Sequence, residues 1–239
     1  MKSLFSLTML FLLLNFAFFP FCFGQEQATY ECTYREGMSP VFDGKTDQDS
    51  FWNSLPVSSD FKIYKKDTPA SPRTCFKAAY NDEALFLGIW CEEPDIQNIK
   101  ARFKDNENVS KDDGIELFIF PPGMETYWHF IVNTDGFRYN GKGYNKKALF
   151  NWSTAAYKGE DFYSIEIKIP FEVFRVVPEK NGHWRVNIAR NLYKNRTLPS
   201  TRHAVWGQSD FHTYDTFNLF LFTDSVSEKT AGKIKLAIR

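Results

Sequence analysis

The chain has 239 residues, and its 29 Lys+Arg against 29 Asp+Glu give a formal charge of zero. With 43% hydrophobic side chains it is not a disordered chain, and without a basic excess it lacks the electrostatic footprint of a nucleic-acid binder. Aromatic residues reach 18%, among them 25 Phe, and this enrichment points to a β-rich fold.

Residues 1–24 carry one Lys, a long apolar run, then Pro20 and Gly24. That layout predicts a signal peptide cleaved after Gly24, and hence a secreted, periplasmic or cell-surface protein. The run approaches the ~20 residues of a membrane-spanning helix, but Asn15, Pro20 and the small Gly24 favour cleavage. No second run of that length follows, so residues 25–239 are expected to form one domain with no membrane span.

The rest of the chain reads as strands separated by turns. Thr74–Tyr80 and Leu85–Trp90 form a hairpin around Asn81-Asp82-Glu83-Ala84. If Tyr80 faces Leu85, Cys75 falls opposite Trp90 and Cys91 opposite Thr74, which puts the two thiols on opposite faces. Residues 96–108 read as an irregular surface loop. Ile115, Leu117 and Ile119 share one face of the next strand, with Glu116, Phe118 and Phe120 on the other. Tyr127–Asn133 follows after Pro121-Pro122-Gly123. Phe162–Pro170 alternates most cleanly, with Ile165, Ile167 and Ile169 inward and Glu166 and Lys168 outward. Pro170–Phe174 predicts one helical turn, and Trp184–Asn191 and Asn218–Phe222 complete the set. Half-buried strands of period 2 with turns every 8–15 residues predict an all-β fold, an antiparallel β-sandwich.

Several segments, in order, resemble carbohydrate-binding module family 9. Asp43-Gly44-Lys45-Thr46-Asp47 followed by Phe51-Trp52 is similar to that family's opening D-G-x-x-D-x-x-x-W. Tyr80–Leu87 is similar to its hairpin, and Asp112–Ile119 to its D-S-V-E-I-F-I strand. Phe130–Asn133, Ile165–Pro170, Trp184–Arg190 and the Trp206…Phe211-His212 stretch continue the match over about residues 30–222. The resemblance implies a sandwich with jelly-roll-like connections, carbohydrate as ligand, and calcium at structural sites in some members. It also implies that a separate glycoside hydrolase is the kind of protein such a module assists. In the best-known members a sugar lies between two Trp. Here Ser110 falls where the first would be, Trp206 matches the second, Glu116 matches a ligand-contacting acid, and Ile131 stands in place of an Arg.

A sugar site needs an aromatic platform for C–H faces and polar groups that reach several hydroxyls. Trp206, in the loop-like Val205-Trp206-Gly207-Gln208, and Glu116 are the first candidates. Trp152, between strands, and Trp128-His129 are the residues that can supply a second wall, with Trp128 itself assigned to the core. Asp47, Asp112 and Asp113 are the candidate oxygen ligands for calcium, although no EF-hand spacing is present. Hydrolysis of a glycosidic bond wants two carboxyls ~5–9.5 Å apart across the substrate. Glu92-Glu93 and Asp112-Asp113 are sequence neighbours whose side chains diverge, so no catalytic pair is selected. Family 9 modules, within the DOMON-like sandwiches, also resemble the haem-binding sandwiches of some exported redox proteins, where Met and His or Lys ligate iron; Met124 and His129 lie close together here, but there is no C-x-x-C-H attachment site.

Overall fold

The structure is a computed structural model that describes residues 27–144, 147–193, 203–224 and residue 234. The segment read as a signal peptide lies outside these residues. In chain order the strands are β1 (Thr29–Tyr34), β2 (Phe61–Ile63), β3 (Thr74–Tyr80), β4 (Ala84–Glu92), β5 (Gly114–Phe120) and β6 (Trp128–Asn133). They continue as β7 (Arg138–Lys142), β8 (Ser153–Lys158), β9 (Phe162–Pro170), β10 (His183–Asn191), β11 (His203–Trp206) and β12 (Asn218–Phe222). Among the described residues there are also two one-turn α-helices, α1 (Ser50–Asn53) and α2 (Phe171–Phe174), and three short 3-10 turns.

One leaf runs β7-β6-β5-β10-β12, and the other runs β3-β4-β9-β8. Period-2 alternation makes the sandwich. Ile115, Leu117 and Ile119 of β5 and Trp184, Val186 and Ile188 of β10 face inward from the first leaf. Leu85, Leu87 and Ile89 of β4 and Ile165, Ile167 and Ile169 of β9 meet them from the second, and all twelve are buried. The β3–β4 hairpin has the expected register, with Tyr80 opposite Leu85, Cys75 opposite Trp90 and Cys91 opposite Thr74. Its two thiols are accordingly free, as is that of Cys32.

The connections depart from a purely antiparallel jelly roll. Thr29–Cys32 of β1 pairs in parallel with Leu219–Phe222 of β12, and Thr33–Tyr34 of the same strand pairs in parallel with Ala79–Tyr80 of β3. β1 therefore passes from one leaf to the other and joins them into one nearly closed, mixed sheet. Local periodicity reports which face a residue takes, not which distant strand lies beside it, and so left this undetermined.

The outer face of the second leaf is covered by the segment leading into α1. The Glu166 carboxylate accepts from the Trp52 indole at 2.7 Å, from the amide of Asp43 at 2.9 Å and from that of Gly44 at 2.6 Å. Asp49 caps α1 through the Phe51 amide at 2.8 Å, and Phe51, Trp52 and Leu55 then pack on Ala79, Ala84 and Phe86. Gly44 has φ of 86°, and a Cβ there would lie 2.6 Å from the Ala156 carbonyl carbon, so both conformation and contact require glycine. Two of the recognised motifs, the opening Asp-Gly…Trp and the Glu of Ile165–Pro170, are thus two halves of one interaction. On the outer face of the first leaf, Phe211 and Phe217 pack over Phe118 of β5, and Glu116 and His129 beside it border a cleft.

Candidate functional site

Strand pairing fixes what lies on the outer face of the first leaf. Glu116 of β5 is opposite Ile131 of β6 and Ala189 of β10, and Phe118 is opposite His129 and Asn187. Ile131 is in turn opposite Tyr139 of β7, and Asn191 is opposite His203 of β11. Cross-strand partners share a face, so Glu116, His129, Ile131, Tyr139, Asn191 and His203 all point outward. Loops carrying Tyr64, Ser110, Tyr193, Phe211 and His212 rise around them and complete a cleft of about 420 Å³.

The floor of the cleft is a hydrogen-bonded chain. His129 Nε2 lies 2.7 Å from Glu116 Oε2, the Asn191 amide donates to Glu116 Oε1 at 2.8 Å, and His203 Nδ1 lies 2.8 Å from Asn191 Oδ1. An ionised carboxylate only accepts, so Nε2 of His129 carries the proton, and Nδ1 of His203 does so by the same reasoning toward the amide oxygen. The His129 ring stacks on Phe118 at 4.1 Å and 16°, which fixes its plane. Glu116 is only 6% exposed and His129 7%, so the pair is largely dehydrated yet borders the cleft.

Burial pushes the Glu116 carboxyl up, but the bond and charge of His129, with help from Asn191 and His203, outweigh it and hold it below its ordinary value. Burial lowers His212, and the nearby His129 lowers it further, so it is neutral at pH 7; its Nδ1 lies 2.7 Å from the Tyr127 hydroxyl. Two of the roughly four acceptor positions of the Glu116 carboxylate are used by protein donors. The arrangement can accept hydroxyl protons at the remaining positions and offer ring faces to an apolar surface. Glu107 lines the same cleft, and its carboxylate accepts from the Lys104 amide at 2.7 Å.

No protein-family model and no curated protein sequence matches the chain. Solved structures do. A candidate carbohydrate-binding protein from Bacteroides uniformis superposes with a TM-score of 0.66 at 16% identity, covering 82% of this chain and 100% of that one. A family 9 carbohydrate-binding module from Caldicellulosiruptor kristjanssonii, in complex with glucose, superposes at 0.62 and 17% identity, over 82% and 96% of the two chains. A cellotriose complex of a family 9 module from the same organism gives 0.58 at 17%, over 81% and 94%. The chain has the family 9 carbohydrate-binding module fold.

Within that family 9 fold, the structure redistributes the residues expected to form the site. Glu116 and His129 are brought together, and Ser110 and Ile131, the positions where the resemblance breaks, line the same cleft. Trp206 does not join them. It is 1% exposed, opposite Phe61 and 5.0 Å from the ring of Phe76, because residues 203–206 form β11 rather than a loop. Alternation then turns Ala204 and Trp206 inward and His203 and Val205 outward. Trp152 is 2% exposed, donates its indole N–H to Asn140 and packs 5.0 Å from Phe130, so it too belongs to the core. Neither tryptophan offers a free ring face to a ligand. The wall comes instead from Tyr64, Tyr139, Tyr193 and the adjacent Phe211 and His212, which lie in four separate segments and were not read as one site.

The remaining candidates have other work. The Asp112 carboxylate accepts from the amides of Arg102 and Phe103 at 2.8 and 2.9 Å and from Asn133 at 3.0 Å. That of Asp113 accepts from the amides of Lys100 and Tyr193, both at 2.8 Å. These carboxylates pin the 100–103 and 193 segments to β5 and do not fit an ion-binding role; Asp47 is exposed on the turn before α1. Among the described residues no cluster of three or more His, Cys, Asp or Glu forms. Glu93 pairs with the buried Arg190 at 3.2 Å. Met124 lines a separate cavity with Trp128, whose side chain is inward, while the next residue, His129, is outward. The two therefore cannot share one haem iron.

Proposed function

We propose that the chain binds carbohydrate in the outer-face cleft, without catalysis of its own. The observation that carries this reading is the Glu116 carboxylate, dehydrated, oriented by His129 and Asn191, and ringed by tyrosine, phenylalanine and histidine side chains. Such a site holds a sugar by hydroxyl-to-carboxylate bonds under a partly apolar wall. The fold shared with modules solved with glucose and cellotriose supports the same ligand class. Calorimetric titration of the purified protein with glucose, cellotriose and a panel of plant and microbial glycans tests it. Saturable heat with at least one glycan, reduced in Glu116→Gln, is expected; no binding across the panel sinks the reading. The composition of residues 1–24 supports export with cleavage after Gly24, and the N-terminal residue of protein recovered from the culture medium or periplasm tests that. Capture of polysaccharide for a separate glycoside hydrolase is the role this reading assigns.

A further inference from the structure

The alternation that turns Trp206 into the core also turns His203, three residues earlier, toward the cleft. There it stands opposite Asn191, its partner across the β10–β11 pair. Asn191 is wholly buried, and its side chain serves two kinds of neighbour. Its Nδ2 donates to Glu116 Oε1 at 2.8 Å and to the Ser110 carbonyl at 3.3 Å, while its Oδ1 accepts from His203 Nδ1 at 2.8 Å. A carboxamide turned by half a revolution about its last bond fills the same space with oxygen and nitrogen exchanged. The oxygen would then face the Glu116 carboxylate and an N–H would face the His203 N–H, so both bonds would become repulsions. The His203 donor is itself held in place. Its ring meets Tyr193 edge-on at 5.8 Å and Phe211 edge-on at 5.1 Å, and its carbonyl accepts from the Tyr64 amide at 3.0 Å. The wall of the cleft therefore fixes the imidazole, and the imidazole fixes the amide. The amide holds one oxygen of Glu116 while His129 holds the other.

We infer that His203 is a positioning residue for ligand binding: its Nδ1–H locks the Asn191 amide, and through it the Glu116 carboxylate, in the orientation that receives a sugar hydroxyl. This rests on the carbohydrate reading and goes beyond it by assigning affinity to a residue that acts on the acceptor through another side chain. The purified protein is titrated with glucose, cellotriose and the plant and microbial glycan panel, and the tightest binder is carried through the variants. His203→Asn keeps an N–H at the Nδ1 position, since both nitrogens are bonded to Cγ, and His203→Leu fills a similar volume without one. Affinity is expected to fall about five- to tenfold in His203→Leu, the worth of one hydrogen bond, and to stay within about twofold of native in His203→Asn. On a Glu116→Gln background the Leu substitution is expected to change affinity by less than about twofold, because the group it acts through is gone. Equal losses in the Asn and Leu variants, or native affinity in both, overturn the positioning role. So does a full loss on the Glu116→Gln background, which makes His203 a direct sugar contact. Thermal melts verify that each variant folds, and His203→Ala replaces His203→Leu if the latter melts below the assay temperature. Failure of the native protein to bind any glycan overturns the carbohydrate reading itself, and is seen before any variant is made.

Discussion

Glu166 and Glu116 stand on the outward faces of the two leaves, both buried, and the protein has used them in opposite ways. Glu166 is closed off: an indole N–H and two backbone amides take three of its roughly four acceptor positions, and a capped helical turn lies over it. Glu116 is held only by side chains, His129 and Asn191, and borders a cleft. Their ionisation differs to match. Burial dominates at Glu166 and leaves its carboxyl above the ordinary value despite the Trp52 bond, whereas His129 brings Glu116 below it. A buried carboxylate satisfied by neutral amides is a structural clasp, and one balanced by an imidazole keeps its charge available for a ligand.

The comparison breaks most visibly at the tryptophans. Trp52→Ala removes the indole that Glu166 depends on and empties a fully buried site, and should cost about 3–5 kcal/mol in chemical denaturation. Trp206→Ala should cost as much, from the opposite side of the sheet, with any loss of sugar affinity following the loss of fold. An unchanged urea midpoint for Trp206→Ala would return that residue to the surface. Glu166→Gln comes next: it places an amide N–H where only acceptors fit, at about 1–3 kcal/mol. Sugar affinity measured well below the melting temperature should be unaffected.

Glu116→Gln should differ in what it does to binding. Its new amide N–H also meets a donor, His129 or Asn191, at about 1–3 kcal/mol of stability, while affinity falls on the order of 10- to 100-fold, the worth of a hydrogen bond to a charged acceptor. Measuring both quantities on both variants separates the two glutamates directly. Acid and base responses sharpen the contrast further. Glu116 has a folded value below its ordinary 4.5, so its contribution is complete above 4.5 and is lost as pH falls through the folded value. The Glu166 value is raised, so its contribution is complete below 4.5 and is lost as pH rises through the higher folded value. Denaturation midpoints against pH should therefore flatten below 4.5 in Glu116→Gln and above 4.5 in Glu166→Gln; flattening on the same side in both would refute the assignment. The smallest effect is Asp47→Asn, on an exposed turn, expected within about 0.5 kcal/mol of the native protein by the same denaturation assay.

Much of this architecture was legible in the residues because period 2 fixes which side of a strand a side chain takes. The β3–β4 register, the inward isoleucines of β9 and the outward Glu116 follow from local alternation alone. His129 beside Glu116 was within reach for the same reason, since their strands are consecutive. Trp206 was misplaced because its strand is four residues long and borrows its partners, β2 and β10, from elsewhere in the chain. No local pattern announces such a strand, and reading it as a loop inverted the side on which the ring sits. Tyr64, Tyr193 and Phe211 were missed for a related reason: they converge only after the leaves close, and nothing in their own neighbourhoods marks them as a wall.

The placement of β1 bears on how the molecule is made. A ribosome delivers Thr29–Tyr34 first among the strands, yet its partner on one leaf, Asn218–Phe222, is synthesised last. Until that final strand arrives, the leading one has an unpaired edge and the two leaves are not tied together on that side. Pairing between the ends of a chain is slow to find, and an exposed strand edge is a template for association with other copies in the interval. The completed molecule is in this sense sealed by the last of its described strands, and a polypeptide stopped short of residue 218 would be left with an open seam along the first of them.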